Sequence, residues 1–173
     1  MIDNQDVVDL LFGIDLVGDE AYFDWNFYAP IFSEWRKSGK MIRAHVGESQ
    51  SASNVVDAVN KLHVTNIAHG IKIYDDRHII DAIRGIDVTF DMAITSNYLT
   101  GVWTDTNDHP ITSMMRDGLQ ITIGSDDPVQ CSTTLNDEYA LLQKLQIPDS
   151  YSSMIKERAL INTLKFKPDF NAG

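Results

Sequence analysis

The sequence predicts an α/β fold built on a parallel β-sheet. An apolar run followed by a helical pattern occurs five times, which is typical of parallel strands joined by right-handed crossovers. The runs are apolar nearly throughout, and this indicates strands that are buried on both faces. With 173 residues, of which 43% are hydrophobic and 23% charged, residues 1–173 are expected to form one domain with a real core.

The first two strand–helix units show the pattern clearly. An apolar strand over 10–18 closes with a glycine, and apolar residues at helical spacing follow over 26–38, where Gly39 stops the helix. The second strand, 41–45, leads into a helix over 51–62 that carries three valines and a leucine on one face. Each unit therefore pairs a buried strand with an amphipathic helix.

The third and fourth strands repeat this arrangement. A strand over 65–69 ends in His-Gly, and a helix over 75–84 follows it. Asp75 and Asp76 are both candidates for the N-cap of that helix. Residues 86–93 are the fourth predicted strand.

The rest of the chain contains one long irregular stretch before it returns to regular structure. Residues 95–107 follow the fourth strand directly, at a position where a functional loop is expected. Asp108 is the predicted N-cap of the next helix, with Pro110 just inside it and Gly118 after its end. The chain closes with a fifth strand and two helices, predicted over 119–125, 133–145 and 150–164.

Charge and composition exclude several classes of partner. Fourteen basic against 25 acidic residues give a net charge of -11, which argues against binding to nucleic acid or to anionic membranes. No long apolar run predicts a membrane span, and residues 1–4 lack the pattern of a secretory signal, so a cytoplasmic location is expected. The single cysteine, Cys131, excludes an internal disulfide framework and a cysteine-based zinc site. A small molecule remains the expected partner.

Polar residues cluster at the predicted carboxyl ends of the strands, where α/β folds place their sites. They are Gly18, His45, Glu48, His69, Ser96, Asn97, Asp126 and Asp127. Imidazole is a good zinc ligand, and a nearby glutamate can transfer protons. Adjacent aspartates on an extended backbone point in opposite directions, so one can bind a metal while the other faces a substrate.

Each of these residues also has an ordinary structural interpretation. Taken singly, His45 and His69 are more typical of core histidines with satisfied partners, and Glu48 of a solvated side chain. The Asp-Asp pair before Pro128 is equally typical of an Asx-turn or a helix N-cap. Gly18 either brings a ligand close to the backbone or merely permits a turn.

Six segments taken together resemble the adenosine deaminase family, in order and spacing, from residue 10 to about residue 164. They are GIDLVGDE (13–20), HVGE (45–48), IAHG (67–70), TSNYLTGVW (95–103), HP (109–110) and SDDP (125–128). The YLTGVW sequence favours adenosine deaminases proper over AMP deaminases. The family is a zinc-dependent (β/α)₈ barrel that converts adenosine to inosine and ammonia.

The resemblance implies a role for each matching residue. His45 and Asp126 correspond to zinc ligands. Glu48 would protonate purine N1, which makes C6 more electrophilic. His69 would orient the attacking water and help to deprotonate it, with assistance from Asp126.

Two further positions would contact the purine. Asp127 would bond the N7 edge, and the Gly18 N–H would meet N3. A zinc site of the cytidine deaminase type needs a Cys-x-x-Cys pattern, which the single cysteine rules out.

The sequence departs from the family in its first part. The family's first strand supplies a His-x-His pair of zinc ligands, and no two of the five histidines here are separated by one residue. A complete barrel takes about 250 residues. The chain therefore corresponds to strands four to eight with their helices, a partial TIM barrel that lacks the first three βα units and that is expected to be inactive alone.

Three explanations of this partial barrel stay open. The chain is a fragment of a longer enzyme, or a second chain completes the barrel, or it is a non-catalytic remnant that binds nucleosides or assembles with other proteins. Deamination of adenine or of an N6-substituted purine is a further alternative within the family. Arg43 is expected to share the inward phase of His45 and to pair with Asp15 or Asp91.

Overall fold

A computed structural model describes residues 10–167, which form one five-stranded parallel sheet in the order β1-β2-β3-β4-β5. The strands are β1 (Gly13–Leu16), β2 (Met41–Val46), β3 (Asn66–His69), β4 (Thr89–Met92) and β5 (Gln120–Ile123). Every strand pairs with the next one along the chain. The predicted α/β class, the five strands and their parallel arrangement are confirmed, with each predicted strand longer than the observed one except β2.

Seven α-helices connect and cover the strands in the described part of the chain. They are α1 (Trp25–Lys37), α2 (Ser53–Asp57), α3 (Arg77–Ile83), α4 (Ile94–Leu99), α5 (Ile111–Arg116), α6 (Leu135–Lys144) and α7 (Asp149–Lys165). A π-helical turn (Ala58–Leu62) continues α2, and 3₁₀ turns lie at Glu20–Tyr22 and Ile71–Asp75. Within residues 10–167, no helix has the length and apolarity needed to cross a bilayer.

Side-chain caps define several helix starts. Asp24 accepts the backbone N–H groups of the first turn of α1, and Thr134 forms a reciprocal capping box with Asp137 in α6. Of the two candidate caps for α3, Asp76 is the one whose side chain accepts a backbone N–H, from His78 at 2.9 Å. These caps satisfy amide groups that lack a partner within their own helix.

Two predictions about the segment after β4 are wrong. The stretch predicted as an irregular loop begins with α4, because the Ile94 and Thr95 amides are held by the carboxylate of Glu138, 44 residues away from Ile94. Asp108 is not the cap of α5: its Oδ1 accepts only the adjacent His109 N–H, while the Ile111 N–H donates to His109 Nδ1. The contact of Glu138 is too distant in sequence to leave a local signal.

The sheet has one apolar face and one polar face. On the outer face, against the helices, Ile42, Ala44, Ile67, Phe90 and Ile121 are at most 2% exposed. Burial alternates along β2, where Met41, Arg43 and His45 are only partly buried. The prediction that strands are covered on both faces is therefore wrong for the inner face of β2.

Arg43 lies on this inner face between two carboxylates. Its Nε is 3.1 Å from Asp15 Oδ2, although the N–H is not aimed at that oxygen, and its Nη1 is 3.7 Å from Asp91 Oδ2. Asp91 also accepts hydrogen bonds from Asn66 and Thr122. Burial raises the pKa of Asp91, and these partners oppose that rise. The expected pairing of Arg43 is confirmed with both aspartates.

Candidate metal and catalytic site

Four predicted site residues converge at the carboxyl ends of the strands. His45 lies in β2, Glu48 in the loop after it, His69 at the end of β3, and Asp126 after β5. His69 Nε2 lies 3.6 Å from Glu48 Oε2 and 3.9 Å from Asp126 Oδ2. His45, His69 and Asp126 each offer one ligand atom, and these atoms lie within 4.8 Å of one another.

Unusual backbone conformations aim two of these side chains at the site. His69 is paired with Val46 of the outer face, yet its φ of 63° and the φ of 53° at Asp126 are left-handed. Such values are uncommon for residues other than glycine and cluster at functional sites. Gly47, between His45 and Glu48, has φ 65°, and a Cβ there would lie 2.6 Å from Val55. Strand alternation alone would place His69 on the opposite face.

Glu20 holds the loop that carries Glu48. Its carboxylate is 6% exposed and accepts the backbone N–H groups of Gly47 at 2.6 Å, Glu48 at 3.0 Å and Ser49 at 2.9 Å. It also accepts a hydrogen bond from the Asn54 side chain. Sequence reasoning missed this role, because Glu20 drew attention only as part of a family-like segment.

The electrostatic surroundings favour a protonated Glu48. Burial raises the pKa of the Glu48 carboxyl, the nearby Asp126 raises it further, and His45 opposes the rise. The pKa shift has the direction that a proton-donating glutamate requires.

His69 belongs to a buried row of polar side chains. Its Nδ1 lies 3.1 Å from Asn97 Nδ2, and Asn97 Oδ1 lies 3.3 Å from His109 Nε2. Burial lowers the pKa of His69 to about 4, although the charge of Asp126 acts to raise it. The pKa of His109 is also lowered to about 4, by burial alone. Asn97 was predicted at this strand end, whereas His109 was noted only within the family-like HP segment (109–110).

The two adjacent aspartates have different surroundings. Asp126 accepts a hydrogen bond from Ser96 Oγ at 2.7 Å and faces the cluster. Both residues are exposed, but Asp127 Oδ1 accepts the Gln130 N–H at 3.4 Å within the same turn. The contacts of Asp127 in this structure are therefore those of a turn residue.

Gly18 lies beyond β1, at the same edge of the sheet. Its φ is 134°, and an added Cβ would meet only Phe23, at an ordinary 3.9 Å. The position therefore requires glycine for its backbone conformation and not for lack of space.

The donor set fits a zinc ion. Zinc binds imidazole nitrogen and carboxylate oxygen, and both kinds of donor are present within one small cluster. His45 also contacts a second carboxylate, since its Nδ1 lies 3.2 Å from Asp15 Oδ1. A carboxylate behind a metal-binding histidine orients its ring and increases its basicity.

Known proteins resemble this chain over most of its length. The family model described as adenosine deaminase matches residues 6–164. An adenine deaminase of Rhizobium leguminosarum is 31% identical over 132 residues, 76% of this chain and 41% of that protein. An adenosine deaminase of Clostridium kluyveri is 31% identical over 133 residues, 77% of this chain and 38% of its own length. The chain thus spans about two fifths of these relatives.

Solved structures share the fold. Adenine deaminase from Arthrobacter aurescens has a TM-score of 0.80 at 24% identity, with 88% of this chain and 47% of that chain covered. A zinc-bound amidohydrolase from Burkholderia ambifaria has a TM-score of 0.76 at 21% identity, with coverage of 88% and 43%. The match to the family model spans nearly the whole sequence, and the chain therefore belongs to the adenosine deaminase family.

Proposed function

We propose that residues 1–173 are the C-terminal five βα units, strands four to eight, of a (β/α)₈ barrel that deaminates adenosine to inosine and ammonia with zinc. The observation that carries the proposal is the convergence of two histidines, a glutamate and an aspartate at the strand ends: His45, His69, Glu48 and Asp126. Membership of the family supports the reaction class. The coverage of the relatives, about two fifths of their length, supports the partial barrel.

His45 and Asp126 would hold the zinc ion from this chain. When bound, zinc is a Lewis acid that makes water nucleophilic at neutral pH. Catalytic zinc sites usually have three protein ligands. Because the sequence has no His-x-His pair, the complete site would draw its remaining ligands from the first three βα units of the barrel.

Glu48 would act as the proton donor to purine N1. Its raised pKa favours the protonated form that this step needs, and Glu20 holds its backbone in place. Protonation at N1 draws electrons from C6, where the oxygen of water would add. His69 would orient that water, and the Asp126 carboxylate, 3.9 Å from His69 Nε2, would receive a proton from it. The proton that this water gives to Asp126 would pass to the amino group, which leaves as ammonia. The remaining proton on the added oxygen would return to Glu48 as the C6=O bond forms.

Asp127 and Gly18 would bind the purine at N7 and N3. Gly18 needs its glycine-specific backbone at the edge of the site, which suits a backbone N–H that contacts a ligand. Asp127 would exchange its weak contact with the Gln130 N–H for one with the base.

The test is to mix this chain with a complementing chain, defined as the first three βα units of the Clostridium kluyveri relative, and to add zinc. We expect adenosine to be converted to inosine and ammonia, measured by ultraviolet absorbance and by product chromatography. Binding of nucleoside without turnover, in a complex shown to assemble, would favour the non-catalytic alternative.

A second candidate is the deamination of adenine or of an N6-substituted purine. It is favoured by the equal 31% identity to an adenine deaminase and by the fold shared with an N6-mAMP deaminase of Arabidopsis, whose TM-score is 0.78. The same assay with adenine and with N6-methyl-AMP distinguishes these substrates by the ratio of their kcat/KM values to that of adenosine.

A further inference from the structure

The buried row of His69, Asn97 and His109 ends against a backbone amide, and a backbone amide can act only as a hydrogen-bond donor. The backbone amide of Ile111 is always a donor, and it lies 3.2 Å from His109 Nδ1. Nδ1 must therefore present its lone pair, and it carries no proton. His109 is a neutral ring with its proton on Nε2.

This proton fixes the orientation of the next side chain. His109 Nε2–H lies 3.3 Å from Asn97 and can donate only to an acceptor, so the oxygen of the amide faces His109. The Asn97 NH₂ group then faces His69 Nδ1 at 3.1 Å and donates to it. All three side chains are at most 2% exposed, so water does not compete for these positions.

We infer that Asn97 and His109 are positioning residues that hold His69 as the Nε2–H tautomer. His69 Nδ1 is occupied as an acceptor, so the ring proton lies on Nε2, the atom that faces Glu48 and Asp126. His69 thus presents a hydrogen-bond donor to the site. The tautomer follows from the hydrogen bonds alone, whereas its catalytic use rests on the proposed function.

The tautomer distinguishes two possible roles of His69 in the cluster of His45, His69 and Asp126: metal ligand and hydrogen-bond donor. An Nε2 that carries a proton has no lone pair with which to bind a metal or to take a proton from water. His69 therefore donates to the oxygen of the attacking water, and the proton that leaves this water passes to the Asp126 carboxylate. This differs from the role implied by the family resemblance, in which His69 helps to remove that proton.

Histidine tautomers can be read directly by NMR. Long-range ¹H–¹⁵N correlation of ¹⁵N-histidine-labelled chain distinguishes protonated from unprotonated ring nitrogens, and the chain has five histidines to assign. We expect the Nε2–H pattern for both His69 and His109 in the unaltered protein. A His69 ring protonated at Nδ1, or at both nitrogens at neutral pH, overturns the inference without any variant.

Asn97→Asp is the directed test, since a carboxylate has no donor for His69 Nδ1. We expect His69 to change to the Nδ1–H tautomer, while His78→Gln, a change at an exposed histidine, leaves the His69 pattern as it is. Zinc added to the unaltered chain should shift the His45 resonances and leave the His69 Nε2–H in place. Loss of that proton on zinc binding contradicts the inference.

Deamination by the complemented barrel with a different His69 tautomer would overturn only this inference. The expected tautomer without turnover would overturn only the proposed function.

Discussion

The two histidines of the site differ in how completely this chain surrounds them. The His69 side chain is 2% exposed, and its Nδ1 is held by the row through Asn97 to His109. The His45 side chain is 15% exposed, and its partner Asp15 is 30% exposed and also contacts Arg43. The His69 half of the site, which consists of His69, Asn97 and His109, is enclosed by this chain. The His45 half, which consists of His45 and Asp15, lies next to the edge strand β1 and the polar inner face.

This difference indicates where a complete barrel would add residues. Within residues 10–167, β1 is an edge strand, and an edge strand presents backbone groups that can pair with another strand. The inner face of β2 is only partly buried. Residues that cover His45 would arrive from that side. A variant should therefore act differently according to the half of the site that it alters.

Glu48 lies between both halves, so its replacement should have the largest effect. In the complemented barrel, Glu48→Gln removes the proposed proton donor, and we expect kcat to fall by about 10²–10⁴-fold, as for other general acids. Steady-state kinetics with adenosine measure the change. Glu34→Gln, at an exposed glutamate of α1, is the matched control and should retain full activity. Equal activity of the two variants would remove Glu48 from the mechanism.

Zinc affinity should separate the two histidines. His45→Ala removes a proposed ligand. We expect the zinc affinity of the complemented barrel to fall by more than about 100-fold, which exceeds the loss typical of a residue that only contacts a ligand. His69→Ala should change affinity far less. Isothermal titration calorimetry measures both variants. A larger loss for His69→Ala would reverse the assigned roles.

The His69 half includes Asn97 of α4, and a buried carboxylate holds the start of that helix. Glu138 is fully buried and accepts the amides of Ile94 and Thr95 and the hydroxyl of Thr133. Glu138→Ala leaves these buried donors without an acceptor, and we expect the free energy of unfolding to fall by about 3 kcal/mol. Urea denaturation measures it. Asp137→Ala, at the exposed neighbour in the capping box, should cost less; the opposite order would contradict this account.

Acid should weaken the same half through His109. Its pKa is lowered to about 4, so between about pH 6.5 and 4 the unfolded chain binds a proton that the folded chain does not. Stability should therefore fall as pH falls through this range, by on the order of 2 kcal/mol near pH 5 from this residue. Urea titrations at neutral and acid pH compare the unaltered chain with His109→Gln, which should lose part of the slope. His78→Gln should keep it.

The sequence predicted the order of the strands and the four side chains that the structure brings together. Apolar runs and helical periodicity identified the five strands in order, and strand ends identified His45, Glu48, His69 and Asp126. Alternation along β2 also predicted the contacts of Arg43. These features depend on local pattern, which is why one sequence reveals them.

Long-range contacts account for what the sequence did not reveal. Glu20 holds a loop that begins 27 residues away, and Glu138 holds the start of α4, 44 residues away. Neither role has a local pattern. The left-handed backbone at His69 turns its side chain against strand alternation. His109 was noted only within the HP segment, although its ring links α5 to the site.

The central claim is that this chain holds an unfinished zinc site whose missing part belongs to the first three βα units. The most direct test is zinc affinity, measured by calorimetry on the chain alone and with the complementing chain. We expect affinity to rise by at least about 100-fold in the assembled barrel, because it gains ligands that this chain lacks. Equal affinity in an assembled complex would contradict the account.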